Sequence, residues 1–315
     1  MKGAILWAQP LLLILAAPLI TGCVKKLKAV LQNRQGAGVF QPYRDLLKNL
    51  QKEEVVSETA SWIFRLIPYV AFSATAAACC LIPVVLAGSA LDFAGDLIAL
   101  VYLLALPRFF MALGGLDAGS AFGGMGSSRE MMIASTAEPA FLMVLFTAAV
   151  QTGTTRAGPI AAVLAQSGWG AFGPGAALAF AALFLVALAE CGRLPVDNPA
   201  THLELTMVHE AMILEHSGRS LALLEWASQI KLALFLTLLA DLFVPWGMAM
   251  SADLASLGLG LLVLALKLLV LILALALVET STAKLRLFRV PDFLGAAFVL
   301  ALLGLLSQGV LKLGL

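Results

Sequence analysis

Eight long apolar stretches run through this 315-residue chain, and each approaches the length that a helix needs to cross a bilayer. About 20 apolar residues in a helix span the hydrocarbon layer. Only 12% of the residues are charged, about half the fraction usual in soluble domains. The sequence therefore predicts an all-α integral membrane protein, one membrane domain over residues 1–315, built as a bundle of eight transmembrane helices. The predicted spans cover residues 4–24, 64–87, 93–115, 130–151, 175–192, 228–248, 254–279 and 291–312.

Lysine and arginine are concentrated in the odd-numbered connections between these spans. The first connection and its flanks carry Lys25, Lys26, Lys28, Arg34, Arg44, Lys48, Lys52 and Arg65. The second and sixth connections have neither residue type, and the fourth has only Arg156. Because basic connections stay on the cytoplasmic side, we expect both termini outside and the first and fifth connections on one cytoplasmic face.

The first connection also predicts an amphipathic helix. Between Gln41 and Leu50, apolar side chains recur at helical spacing with charged residues between them. Such a helix lies along a membrane surface. Two interpretations remain open: a basic segment held by anionic lipid, or a surface that contacts a partner or roofs a cavity.

A polar island over residues 190–218 contains all three histidines and five of the nineteen acids. Pro195 and Pro199 predict a break after the fifth span, and a new helix before Glu215. His202, His209 and His216 are seven residues apart, about 10 Å between neighbours on one helix, which is too far to share an ion. The sequence predicts no metal site here.

Seven ionisable residues fall within or at the edges of apolar runs. A charge at the bilayer centre costs about 2.5–3.5 kcal/mol on insertion scales, so several of them indicate a polar interior. Lys267 lies about 18 Å from Glu279 along one helix, so its partner must lie elsewhere, with Asp241 and Glu138 as candidates. Static ion pairs and a proton path both fit this pattern. The seven are Arg108, Glu138, Glu190, Lys231, Asp241, Lys267 and Glu279.

Other function classes find less support. The four cysteines form no Cys-x-x-Cys pair, so the chain is not expected to carry an iron–sulfur cluster. The formal net charge of +1 gives no basic character that would indicate a nucleic-acid partner. No internal repeat is evident, which disfavours a stand-alone ion transporter without excluding it.

The polar island resembles subunit 1 of respiratory complex I and its relatives in membrane-bound group 4 [NiFe] hydrogenases, of the formate hydrogenlyase or CO-linked type. The matching motifs are Ala189-Glu190, Arg193-Leu194-Pro195-Val196-Asp197, Glu204-Leu205 and Glu215-His216-Ser217-Gly218. Arg34-Gln35-Gly36-Ala37, the segment from Gln41 to Lys48, and Gly126 to Glu138 also match. Features closer to the hydrogenase branch are Phe109-Phe110, Gly115 to Ser120, and Glu279 with Lys284 to Leu287.

The resemblance implies a non-redox membrane subunit that is not catalytic alone, in a prokaryotic cytoplasmic (inner) membrane. The [NiFe] centre and iron–sulfur clusters would belong to partners: hydrogenase large and small subunits, an iron–sulfur subunit and antiporter-like membrane subunits. The implied proton relay is Glu138, Glu190, Asp197, Glu204, Asp241 and Lys267. The implied docking or quinone-cavity residues are Arg34, Gln41, Arg44, Asp45, Arg129, Arg193 and Glu215.

A quinone-chamber subunit of an NADH-quinone oxidoreductase is the second interpretation. Ala37 stands where the family usually has proline, and Ala200 and His202 stand where it usually has glutamate. These departures thin the acidic entrance and favour the hydrogenase interpretation. Quinone binding itself stays open.

Overall fold

A computed structural model describes residues 2–93, 96–168, 172–198 and 207–313. This part of the chain is helical and contains no β-strand beyond a single bridge between Leu86 and Ala249. The helices in chain order are α1 (Lys2–Leu31), α2 (Gln41–Gln51), α3 (Trp62–Cys79), α4 (Leu97–Asp117), α5 (Ala121–Thr152), α6 (Ala157–Ser167), α7 (Pro174–Glu190), α8 (His209–Ile213), α9 (Gly218–Phe243), α10 (Leu254–Ser281) and α11 (Val290–Leu313).

The predicted membrane bundle is confirmed. Seven helices in the described residues are long and apolar enough to cross a membrane: α1, α3, α4, α5, α9, α10 and α11. The remaining predicted span, the fifth (residues 175–192), corresponds to α7, which has 17 residues and lies at the short end of the range for a spanning helix. The amphipathic helix predicted from residue 41 is α2, which buries Pro42 and Leu46. Helix α6 was not predicted, and α8 has only five residues.

Small residues set how closely the helices approach. Helices α5, α7 and α11 pack against one another, and α1 packs against α9 and α10. A Cβ added to Gly175 on α7 would lie 2.8 Å from the carbonyl oxygen of Gly304 on α11, so this crossing requires glycine. Buried alanines line the same interface, and small residues let membrane helices pack backbone to backbone. The outer surface of α10 carries exposed leucines, as expected of a face turned to lipid.

The predicted second span, residues 64–87, is wrong at its end. Helix α3 stops at Cys79, and the apolar residues that follow form a buried irregular segment. Three of their backbone N–H groups are satisfied by one side chain from α1: Gln9 Oε1 accepts from Val84, Val85 and Leu86 at 2.8–3.0 Å. Gln9 Nε2 donates to the carbonyl of Gly88 at 3.2 Å. Non-helical backbone away from water persists only when such partners exist.

We expect Gln9→Leu to destabilise the protein by about 3 kcal/mol, because it keeps the side-chain volume but leaves several buried backbone groups unpaired. Thermal unfolding of the purified chain in detergent measures the effect. The exposed Gln166→Leu on α6 is the control and should leave the melting temperature unchanged. Equal melting temperatures for wild type and Gln9→Leu would show that this side chain does not hold the segment.

Helix α2 lies beside α1 at the level of the predicted first span. Gly22 on α1 permits this contact, because a Cβ there would sit 1.9 Å from the carbonyl oxygen of Val39. The hydroxyl of Tyr43 donates to the carbonyl of Leu15, further into the same span. The segment after α1 therefore turns back along α1. As a result, α2 lies next to the apolar helix α1 and does not extend into solvent.

Candidate functional site

Five ionisable side chains from four helices meet inside the bundle. The guanidinium of Arg108 on α4 donates through Nη1 to Glu138 at 2.9 Å and through Nη2 to Glu190, and its Nε lies 3.5 Å from Glu130. Lys231 on α9 places its Nζ 2.8 Å from the Glu190 carboxylate. We call these five residues the buried ion cluster.

The sequence explains why these groups converge. Glu130 and Glu138 are eight residues apart on α5, about two helical turns, so they share one face. Glu190 is the last residue of α7. The guanidinium presents several donors in a fixed fork, which suits it to bridging more than one carboxylate. The Arg108 side chain is 6% exposed and that of Glu190 is 2% exposed, so both are shielded from bulk water.

The charges of the buried ion cluster do not cancel. Three carboxylates face two cations, which leaves one negative charge in excess when all five groups are ionised. Excess charge is costly where water is excluded, as at Glu190, and less so at Glu138, whose side chain is 38% exposed. Binding one proton removes the excess. The cluster is therefore chemically suited to take up and release a proton.

A pocket of about 340 Å³ lies between α2, the turn after α7, α8 and α9. We call it the polar pocket. Its charged lining residues are Lys25, Asp45, Lys48, Arg193, Asp197, Glu210 and Glu225. A second cavity of about 50 Å³ reaches Arg108, Glu190 and Lys231. Both are lined by Cys191, Gly192, His209 and Ser228, so these residues separate the polar pocket from the buried ion cluster.

Two further groups of ion pairs fix the segments around the polar pocket. Lys284 Nζ lies 2.6 Å from Asp197 Oδ1, and the backbone N–H of His209 donates to Asp197 Oδ2 at 3.4 Å. Glu279 on α10, 4% exposed, is 3.0 Å from Lys28 Nζ and 3.3 Å from Arg193 Nη1. These contacts connect α1 and α10 to the turn after α7.

Comparison with known proteins identifies the family. The sequence model described as NADH dehydrogenase matches residues 4–308. The chain belongs to the NADH dehydrogenase family. The resemblance to complex I subunit 1 and its hydrogenase relatives is thereby confirmed.

Curated family members similar to this chain come from hydrogenase and quinone-reducing complexes. Formate hydrogenlyase subunit 4 of Escherichia coli (strain K12) is 36% identical over 299 residues, covering 95% of this chain and 96% of the relative. Hydrogenase-4 component C of the same organism is 36% identical over 251 residues, covering 79% and 78%. NADH-quinone oxidoreductase subunit 8 of Rhodothermus marinus is 27% identical over 248 residues, covering 73% of this chain and 70% of the relative.

A solved structure shares the fold. A chain of the membrane-bound sulfane sulfur reductase, an archaeal respiratory membrane complex, superposes with a TM-score of 0.81. The match covers 96% of this chain and 99% of the other at 22% identity. The helix arrangement is therefore common to distant members of such complexes.

The structure brings together some of the predicted relay residues and separates others. Glu138 and Glu190 belong to the buried ion cluster, and Asp197 lines the polar pocket. Asp241 on α9 is 2% exposed, neither of its carboxylate oxygens has a hydrogen-bond partner among the described residues, and it interacts electrostatically with Lys267 on α10. Of the two predicted partners of Lys267, Asp241 thus interacts with it electrostatically without a described hydrogen bond, whereas Glu138 pairs with Arg108. The predicted Glu204 lies outside the described residues.

The predicted docking residues occupy different positions. Arg129 Nη1 donates to the carbonyl of Met207 at 2.7 Å and so holds the chain before α8. Arg193 and Asp45 line the polar pocket, and Gln41 Nε2 donates to Asp45 at 2.8 Å. The remaining members of the set are exposed on the isolated chain: Arg34, Arg44 and Glu215.

Sequence reasoning missed the centre of the site. It noted Arg108 and Lys231 as charges in apolar runs but gave them no role, and it overlooked Glu130. The available signal was the spacing of Glu130 and Glu138, which places two acids on one helical face. Of the predicted helix before Glu215, the described part contains α8, and residues 199–206 lie outside that part.

His216 has a structural position beside the site. Its ring stacks on Phe64 of α3 with centroids 3.9 Å apart and 7° between the planes. The side chain is buried, and Nδ1 has no hydrogen-bond partner among the described residues. Burial lowers the pKa of His216 to about 4, so the ring is neutral near pH 7.

We expect His216 to make the fold less stable as the pH falls from about 6.5 towards 4. In this range the unfolded chain, with a histidine pKa near 6.5, binds a proton that the folded chain does not, so acid favours unfolding. The contribution reaches about 2–3 kcal/mol near pH 4. Denaturant unfolding of wild type and His216→Phe between pH 4 and 7 measures it, since phenylalanine keeps the stack and cannot titrate. Identical pH profiles for the two proteins would contradict this account.

Proposed function

We propose that this chain is the membrane subunit of a hydrogenase-type respiratory complex, in which it couples electron transfer in docked subunits to proton movement. The observation that carries the proposal is the buried ion cluster, which has excess negative charge and lies next to a polar pocket between the chain's connecting segments. The relatives named formate hydrogenlyase subunit 4 and hydrogenase-4 component C support the hydrogenase assignment.

The electrostatics of the cluster suggest how the coupling works. A unit charge that appears about 10 Å from the cluster changes its energy by about 1.7 kcal/mol at an effective dielectric constant of about 20. That energy changes proton affinity by about one pH unit. An electron arriving on a partner above the polar pocket would therefore draw a proton towards Glu190, and its departure would release that proton.

The relay in this proposal runs from Asp197 and Glu204 to Glu190, and then to Glu138. Asp241 and Lys267 form a separate inner pair on α9 and α10. Arg129 and Arg193 position the segments through their contacts with Met207 and Glu279.

The partners supply the redox chemistry in this proposal. They are [NiFe] hydrogenase large and small subunits, an iron–sulfur subunit and antiporter-like membrane subunits, which hold the [NiFe] centre and the clusters. This chain contributes no redox centre. It lies in a prokaryotic cytoplasmic membrane with both termini outside and the polar pocket on the cytoplasmic side.

Quinone reduction is the second candidate, supported by the relatives named NADH-quinone oxidoreductase subunits and by the polar pocket. Purification of the tagged chain from its native membrane, with identification of the co-purifying subunits, tests both. Hydrogen evolution insensitive to quinone-site inhibitors supports the hydrogenase proposal. Inhibitor-sensitive quinone reduction supports the second candidate. A chain that purifies alone and carries ion flux in vesicles contradicts both.

A further inference from the structure

The outward side of α2 combines apolar and cationic side chains on one helical face. Phe40, Arg44 and Leu47 are spaced by four and three residues, which places them above one another along the helix. Phe40 is 63% exposed and Leu47 is 60% exposed. We call these three residues the outer face of α2. The opposite side of the helix is occupied, because Pro42 and Leu46 are buried and Asp45 lines the polar pocket.

The segment that carries this face is strongly basic, although Lys25 and Lys48 line the polar pocket together with Asp45, Glu210 and Glu225. Residues 25–52 contain seven lysines and arginines and a single acid, Asp45, which accepts a hydrogen bond from Gln41 and faces the polar pocket. Lys28 is paired with Glu279. Within the described residues, neither Arg34 nor Arg44 forms an ion pair. Arg34 and Arg44 are therefore free to hold an external anion at the outer face of α2.

The depth of the helix distinguishes the possible anions. Val39 and Tyr43 contact α1 between Leu15 and Gly22, within the predicted first span. Because the predicted first span ends at residue 24, we infer that Phe40 and Leu47 lie near the level where headgroups meet acyl chains. A free anion would match the arginines but would leave the two apolar side chains in water, whereas a phospholipid offers a phosphate and acyl chains together.

We propose that the outer face of α2 binds an anionic phospholipid. Arg44, assisted by Arg34, holds the phosphate with the paired donors that guanidinium groups offer to phosphate. Phe40 and Leu47 lie against the upper part of the acyl chains. The lipid seals the outer side of α2, whose inner side forms a wall of the polar pocket. This inference does not depend on the proposed function.

The test uses the full chain in nanodiscs containing phosphatidylglycerol and phosphatidylcholine in equal amounts. Mass spectrometry of the lipids retained after gentle detergent extraction gives the enrichment of phosphatidylglycerol. We expect Arg44→Gln to lower that enrichment about fivefold, the effect of one interfacial cation, and the double variant Phe40→Ser with Leu47→Ser to lower it as well. Arg156→Gln is the matched control, an exposed arginine at the start of α6, and should retain wild-type enrichment.

Three results would overturn the proposal. The first is equal enrichment in wild type and Arg44→Gln. The second is displacement of the bound lipid by soluble glycerol phosphate, which would identify a site for free phosphate. The third, measured on the complex purified from its native membrane, is loss of a partner subunit from Arg44→Gln with lipid enrichment unchanged, which would identify a protein-docking face. Because Arg44 is exposed and unpaired, its substitution is not expected to impair folding.

Discussion

Arg108→Leu is expected to prevent the folded chain from accumulating in the membrane. The substitution leaves Glu130, Glu138 and Glu190 in the bundle with only the Lys231 ammonium near them. Breaking a buried ion network by removing one partner costs about 3–5 kcal/mol, a large share of the total stability of about 5–15 kcal/mol typical of proteins. The amount of chain in isolated membranes and its melting temperature in detergent measure the effect.

Two further variants test whether the effect of Arg108→Leu comes from the buried ion cluster. Arg156→Leu removes an exposed arginine and should accumulate like wild type. Adding Glu138→Gln to Arg108→Leu removes one of the uncompensated carboxylates and should recover part of the lost stability. If Arg108→Leu accumulates and melts as wild type does, the guanidinium does not hold the buried ion cluster together.

Glu190→Gln is expected to leave the complex assembled and to reduce coupled turnover more than tenfold. The glutamine keeps the shape of the side chain, and the cluster then holds two cations and two carboxylates, which are balanced. What is lost is a carboxylate that can bind a proton next to the polar pocket. Proton movement per electron, measured in vesicles containing the complete purified complex, tests this expectation.

The interpretation of the Glu190 experiment depends on its controls. Glu58→Gln removes an exposed carboxylate in the connection before α3 and should turn over like wild type. An intact complex in which Glu190→Gln moves as many protons per electron as wild type would remove Glu190 from the proton path. Failure to find any partner subunits would instead contradict the proposed function itself.

The helices were predictable because their signals are local. Apolar runs of about 20 residues mark α1, α4, α5, α9, α10 and α11, and helical spacing of leucines marks α2. The end of α3 was not predictable in the same way. Residues 80–87 are as apolar as the helix before them, and the side chain that satisfies their backbone is Gln9, 75 to 77 residues earlier. No sequence pattern near Val84 identifies Gln9 as its hydrogen-bond partner.

The candidate site was only partly predictable for a related reason. Charges in apolar runs identified Arg108, Glu138, Glu190 and Lys231 as internal, because lipid penalises any of them that faces outward. Which of these residues form ion pairs could not be predicted from the sequence, because the pairs depend on which faces of four helices meet and at what depth. Glu130 illustrates the limit: it lies near the start of its apolar run, and only the position of Arg108 gives it a role.

By itself, the sequence determined that this protein is a membrane bundle, where most of its helices run, and that it carries charges which must be internal. These properties follow from hydrophobicity and periodicity, which are patterns of residues that are close together in the sequence. Only the tertiary structure decided that one arginine joins three acids, that Lys267 interacts electrostatically with Asp241, and that α2 lies against α1 beside a polar pocket. The contacts of Arg108 with Glu138 and Glu190 join residues 30 and 82 positions apart, and they exist only once helix packing has set rotation and depth.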